Sequence, residues 1–100
     1  MRIYLRNDQA TKALSRIPPP AYGKPELKRG VIIQVLGAGT CWFDTDRAPI
    51  ENTDSLGIPT AGSSIDSTRG AVNFDQWNDD LWLRGSATGI AVEVTPLGVR

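Results

Sequence analysis

Four aspartates carry the chemistry this sequence is best equipped to do. Asp44 and Asp46 lie two apart in the run Cys41 to Asp46, whose alternation reads as a strand, so both carboxylates share a face. Asp79 and Asp80 are candidates to join them in space. Clustered carboxylates can bind calcium, but the spacing is not that of an EF-hand loop, and a solvated sheet edge is the expected role. Paired acids could also serve a glycosidase, which needs one acid of raised pKa in a cleft. Ser63, Ser64 and Ser67 have no histidine to activate them, because the chain contains none. Cys41 lacks a base as well, and a small apolar residue on a strand is expected to be packed rather than reactive. No catalytic, cofactor-binding or metal-ligating residue is assigned on this reading, and no enzymatic activity is expected.

The aromatic residues point elsewhere. Leu81 and Leu83 alternate with Trp82, and Cys41 and Phe43 with Trp42, so each tryptophan faces outward when its neighbours face the core. Trp77 sits in a polar stretch. Tryptophan is enriched in the buried centres of interfaces, so Trp42, Trp77 and Trp82 are candidate docking residues, the alternative being that some cap the ends of the core.

Elements that would position these residues follow from periodicity. Asp80 to Thr95, DLWLRGSATGIAVEVT, holds two alternating runs around Gly85-Ser-Ala-Thr-Gly89 and reads as a β-hairpin with one dry face. Val31 to Leu36, VIIQVL, reads as a central strand, followed by a glycine turn and an antiparallel return along Cys41 to Asp46. VIIQVLGAG mimics the start of a dinucleotide fingerprint, but Trp42 stands at the third glycine position and no helix follows. Arg2 to Arg6 alternates as an edge strand would, whereas Gln9 to Ile17 fits a short helix capped by Asp8 or a strand. Arg47 to Gly62 is rich in turn formers and reads as a long surface loop. Short strands are expected around Ile65 and over Ala71 to Phe74.

One hundred residues at 40% apolar suit a single modest core. The net charge is zero but uneven: residues 1–30 hold seven cations and two acids, or +5, and residues 31–100 hold four and nine, or −5. That asymmetry could draw the first part onto the body of a neighbouring copy or onto nucleic acid, or be solvated charge. Few aromatics interleave with the cations, so nucleic acid is not an expected partner. Pro18-Pro19-Pro20 ends whatever precedes it and, with Tyr22, Gly23 and Pro25, forms a stiff extended strap. No run approaches the roughly 18 apolar residues of a membrane span, so no membrane partner is expected, and the single cysteine suits a reducing compartment. The chain therefore divides into a basic, Pro-rich N-terminal arm with an edge strand, residues 1–30, and a β body, residues 31–100. Deleting Met1 to Lys24 is expected to leave that body folded.

From Gly30 to Val94, about two thirds of the chain, the pattern resembles short virion proteins of tailed bacteriophages. The likeness lies in VIIQVL, the glycine turn, the aromatic strand TCWFD, a polar loop with a glycine, and the closing LWLRGSATGIAVEV. The Pro-rich arm departs from the shorter N-termini of that group. The resemblance implies an all-β fold, a small antiparallel β-sandwich or jelly-roll-like barrel. It further implies a virion location and a head decoration or cement protein that binds the major capsid protein or other virion proteins as a homo-oligomer, for instance a trimer. A collar or tail-fibre adhesion module binding carbohydrate through tryptophans is the second expectation. Partner-binding residues on the first reading are Arg2, Arg6, Pro18, Pro19, Pro20, Tyr22, Trp42, Trp77 and Trp82, with no cofactor.

Overall fold

A computed structural model of the chain describes residues 1–47, 50, 63–66, 68 and 70–98. Its strands are β1 (Arg2–Tyr4), β2 (Thr11–Leu14), β3 (Val31–Val35), β4 (Thr40–Asp44), β5 (Ser63–Asp66), β6 (Val72–Phe74), β7 (Leu81–Gly85) and β8 (Ala91–Pro96). They form two four-stranded antiparallel sheets, ordered β1-β8-β3-β6 and β2-β7-β4-β5, which makes the protein an all-β sandwich. Gln9 to Ile17, open between helix and strand in the sequence, contributes β2.

The order has a simple origin. β1 pairs with β8, β2 with β7, β3 with β6 and β4 with β5, as they would along one long two-stranded ribbon folded at the β4–β5 connection. Rolling the ribbon lays β8 beside β3 and β7 beside β4. Among the described residues, only β4 and β5 are neighbours both in the chain and in a sheet. The expected hairpin of Asp80 to Thr95 is accordingly not formed, because β7 and β8 lie in opposite sheets. The expected pairing of Val31–Leu36 with Cys41–Asp46 fails in the same way. A hairpin and an arch across a sandwich share one periodicity: in the hairpin the dry faces lie side by side, in the arch they face each other.

Val31, Ile33, Val35, Val92 and Val94 of the first sheet share a core with Cys41, Phe43, Ile65, Leu81 and Leu83 of the second. Each buried Val, Leu, Ile or Phe contributes about 1.5–3 kcal/mol of burial energy. The alternation written in β3, β7 and β8 is realised: Ile33, Leu81, Leu83, Val92 and Val94 are fully buried, while Gln34 is exposed.

The first residues are built into both sheets. β1 lines β8, and the N-terminal ammonium of Met1 donates to Val94 O at 2.9 Å and to Glu93 Oε1 at 3.1 Å. The chain then crosses to β2 through Leu5, which is 1% exposed. Leu5 N–H donates to Ile90 O at 2.8 Å, Leu5 O accepts from Gly89 N–H at 2.8 Å, and Arg6 O accepts from Gly85 N–H at 3.0 Å. Gly85 is required there, since a Cβ would lie 2.9 Å from Leu5 Cβ and from Ala87 O. β1 and β2 lie on the N-terminal side of residue 30 and each belongs to a sheet, so a chain lacking Met1 to Lys24 is expected to unfold rather than to keep a folded body. That truncation removes one strand from each sheet together with Leu5, and it should abolish the β-sheet circular dichroism signal. Leu5→Ala should keep the fold and lose about 2–5 kcal/mol in urea denaturation.

Candidate functional site

Between β2 and β3 the chain leaves the sandwich as a finger, residues 16–28. Proline fixes φ near −65° and bars its predecessor from the helical region, so Ile17, Pro18 and Pro19 each precede a proline and run extended. A turn closed by Lys24 N–H on Ala21 O at 2.9 Å reverses the chain, with Gly23 at φ 78°, a left-handed angle that suits glycine. Tyr22, beside it, is completely exposed. Ile17, Pro19, Ala21, Pro25 and Leu27 line an apolar concavity of about 560 Å³ on the finger, together with Lys24.

Both roots of the finger are clamped by Arg29, which is 8% exposed. Its Nη1 donates to Ser15 O at 2.7 Å, its Nε and Nη2 to Trp77 O at 3.2 and 3.0 Å, and Nη2 also to Asp79 O at 3.1 Å. A buried cation is costly unless its donors are satisfied, and the planar fork of arginine reaches carbonyls on two segments at once. Asn78 completes the clamp: its Oδ1 accepts from Arg29 N–H at 3.0 Å, its Nδ2 donates to Leu27 O at 3.1 Å, and its carbonyl accepts from Ile17 N–H at 2.9 Å. The finger is thus rooted on both sides while its tip stands in solvent.

Next to the root lies a second groove of about 510 Å³, lined by Trp82 with Arg16, Asp46, Arg47, Asp79 and Asp80 and by Thr45. Trp82 projects from the outer face of the second sheet, half-buried, with Lys12 Nζ 5.8 Å and Arg47 Cζ 5.9 Å from its ring centroid. Asp80 Oδ1 accepts from Arg16 N–H at 2.6 Å and lies 3.5 Å from Lys12 Nζ. That backbone hydrogen bond, aided by the charge of Lys12 and opposed by desolvation, holds the Asp80 carboxyl below its ordinary value.

The sequence candidates are distributed unevenly. Pro18, Pro19, Pro20 and Tyr22 come together on the finger, and Trp82 and Trp42 share the outer face of the second sheet, both half-buried. Trp77 instead closes the end of the core, its ring 5.8 Å from Phe43 and 5.1 Å from Phe74, with Nε1 donating to Asp80 O at 3.1 Å. That is the second of the two roles the sequence left open for these tryptophans, a cap on the end of the core. Arg2 lies beside Glu93 on the outer face of the first sheet at 3.7 Å, and Arg6 grips Asp8 with two bonds of 2.9 Å. The Arg6 hydrogen bond lowers the Asp8 carboxyl, yet the pair is exposed, and neither arginine belongs to the finger or the groove.

Reactive-looking groups serve structural ends. Asp44 Oδ1 accepts from Thr45 N–H at 2.6 Å and Asp46 N–H at 3.4 Å, capping a turn. Burial pushes the Cys41 thiol up to about 12. Among the described residues no group of three acidic, cysteine or histidine side chains is placed to hold a metal ion. Ser67 and, apart from Arg47 and Ile50, the expected loop Arg47 to Gly62 lie outside the described residues. Arg84 went unnoticed in the sequence. It is 4% exposed on the outer face of the second sheet, donating through Nε to Asn7 O at 2.8 Å and through Nη1 to Ile50 O at 2.9 Å.

Two outcomes follow from this geometry. Arg29→Lys keeps the charge but loses the fork, and should cost about 1–3 kcal/mol in urea denaturation while speeding chymotryptic cleavage after Tyr22. The Asp80 carboxyl is depressed in the folded state, so its contribution is present above the ordinary carboxylate value and disappears as pH falls through the lower folded one. Urea midpoints should therefore fall less steeply below about pH 4 in Asp80→Asn than in the wild type. Comparison with protein-family models, with curated proteins and with solved structures finds no match to this chain.

Proposed function

We propose that the chain is a non-enzymatic structural virion protein, a decoration or cement protein that binds and stabilises a phage capsid lattice as an oligomer. One observation carries the reading: a finger rooted by a buried arginine presents Pro18, Pro19, Pro20 and the fully exposed Tyr22 to solvent. A stiff apolar projection loses little conformational entropy when it docks, which is the advantage a clasp needs. The strand order supports the jelly-roll form of the fold, since two sheets made by rolling one antiparallel ribbon are the arrangement used by viral capsid and lectin domains. The occupations of Asp44, Cys41, Arg29 and Arg84, each bound or buried for structure, favour binding over turnover.

A second reading, a collar or tail-fibre module binding carbohydrate, is favoured by Trp82 beside Asp46 and Asp79, because sugar sites combine a stacking ring with acids. The Lys12 and Arg47 cations near that ring compete with a sugar for it. A glycan array read against tryptophan fluorescence separates the two, since a cement protein gives no sugar response.

The decisive assay adds purified protein to capsids that lack it. Wild type should bind to saturation and raise the temperature at which the particles open. Tyr22→Ser combined with Pro19→Ser should weaken binding at least about tenfold, equivalent to about 1.4 kcal/mol. Wild-type occupancy by that double variant would remove the finger from the mechanism.

A further inference from the structure

The finger and the tryptophan groove are complementary in chemistry and belong to the same chain. Proline-rich extended segments bind where aromatic side chains line a groove, because the segment is already ordered and proline rings pack flat on indole. The finger supplies Pro18 to Pro20 and Tyr22, with Lys24 and Lys28 on its returning limb. The groove supplies the half-buried Trp82, with Asp46 and Asp79 in its lining and Lys12 Nζ 5.8 Å from the ring. Its other charges are the acid Asp80 and the cations Arg16 and Arg47. The wider electrostatics agree in sign: the finger, residues 16–28, carries three cations against one acid, +2, and the rest of the chain carries eight against ten, −2. Such opposite fields steer one molecule's finger toward another molecule's body.

The finger of a given copy does not fill its own groove. Arg29 and Asn78 hold both of its roots, and Tyr22 at its tip stands wholly in solvent. We propose that the finger of one copy seats on the Trp82 groove of a second copy, so that the chain associates head to tail. Pro19 and Pro20 displace the Lys12 and Arg47 cations from the indole, Tyr22 enters the groove, and Lys24 approaches Asp79. Donor and acceptor surfaces differ, so each copy keeps one of each free for a further neighbour, and the assembly closes as a ring or continues. The inference rests on the finger being a docking element, as in the proposed function, and identifies its neighbour as another copy of this chain.

The test uses the full chain in solution with no particle present, so failure to bind capsids and failure to self-associate are read separately. Sedimentation velocity across a concentration series should show the wild type growing beyond a monomer. Tyr22→Ser, at a fully exposed position, and Asp79→Arg, at an exposed one, should each raise the dissociation constant at least tenfold while leaving circular dichroism unchanged. Mixing the two variants should restore a dimer and nothing larger, because the intact finger of Asp79→Arg meets the intact groove of Tyr22→Ser. A wild type that stays monomeric at every concentration overturns the proposal. So do single variants that associate as the wild type does, or a mixture that behaves as the sum of its parts.

Discussion

A strand at the edge of a sheet leaves half of its backbone groups unpaired, and in this protein the first fourteen residues occupy one edge of each sheet. Everything else depends on that placement. β1 covers β8, β2 covers β7, and Leu5 plugs the corner where the chain passes from one sheet to the other. β8 lies between β3 and β1, so the first residues complete the pairing of its second edge. The amino group of Met1 on Val94 O and Glu93 marks that closure. A domain of this size has little stability to lose, and its N-terminal strands are part of its core rather than an appendage.

Two buried arginines then link what the sheets leave loose. Arg29 gathers the carbonyls of Ser15, Trp77 and Asp79, and Arg84 gathers those of Asn7 and Ile50. In each case one guanidinium holds segments distant in sequence by satisfying backbone acceptors that would otherwise need water. The Arg29 clamp gives the finger its position. Because the roots are fixed by hydrogen bonds, the prolines and Tyr22 present a preformed surface, so the docking proposed for the finger would order little that is not already ordered.

Much of the fold was legible in alternation alone. Leu81 and Leu83, and Val92 and Val94, fall on the dry face by period two, and all are buried. Val31 to Leu36 reads as a central strand covered on most of both faces, yet only the Val31, Ile33 and Val35 face is buried while Gln34 and Leu36 are exposed. Pairing was not legible, because a period-two pattern says which side of a strand is dry and not which strand lies beside it; the supposed hairpin of Asp80 to Thr95 is an arch for that reason. The proline finger could be read from Pro18 to Pro25, since the restriction is covalent. The clamp could not be, because nothing about Arg29 or Arg84 in the sequence distinguishes a buried arginine from a solvated one. Trp77 was open between docking and capping the core, because its neighbours are polar while its ring turns inward onto Phe43 and Phe74.

The most direct measurement of this account is residue-resolved amide hydrogen exchange over residues 1–30. Integration of the N-terminal strands and clamping of the finger predict that the amides of Leu5, Ile17 and Arg29 exchange as slowly as those of β7 and β8, while Tyr22 exchanges at the rate of an open chain. Uniformly fast exchange from Arg2 to Arg29, beside a protected remainder, would mean that the segment is a free arm and would contradict the account.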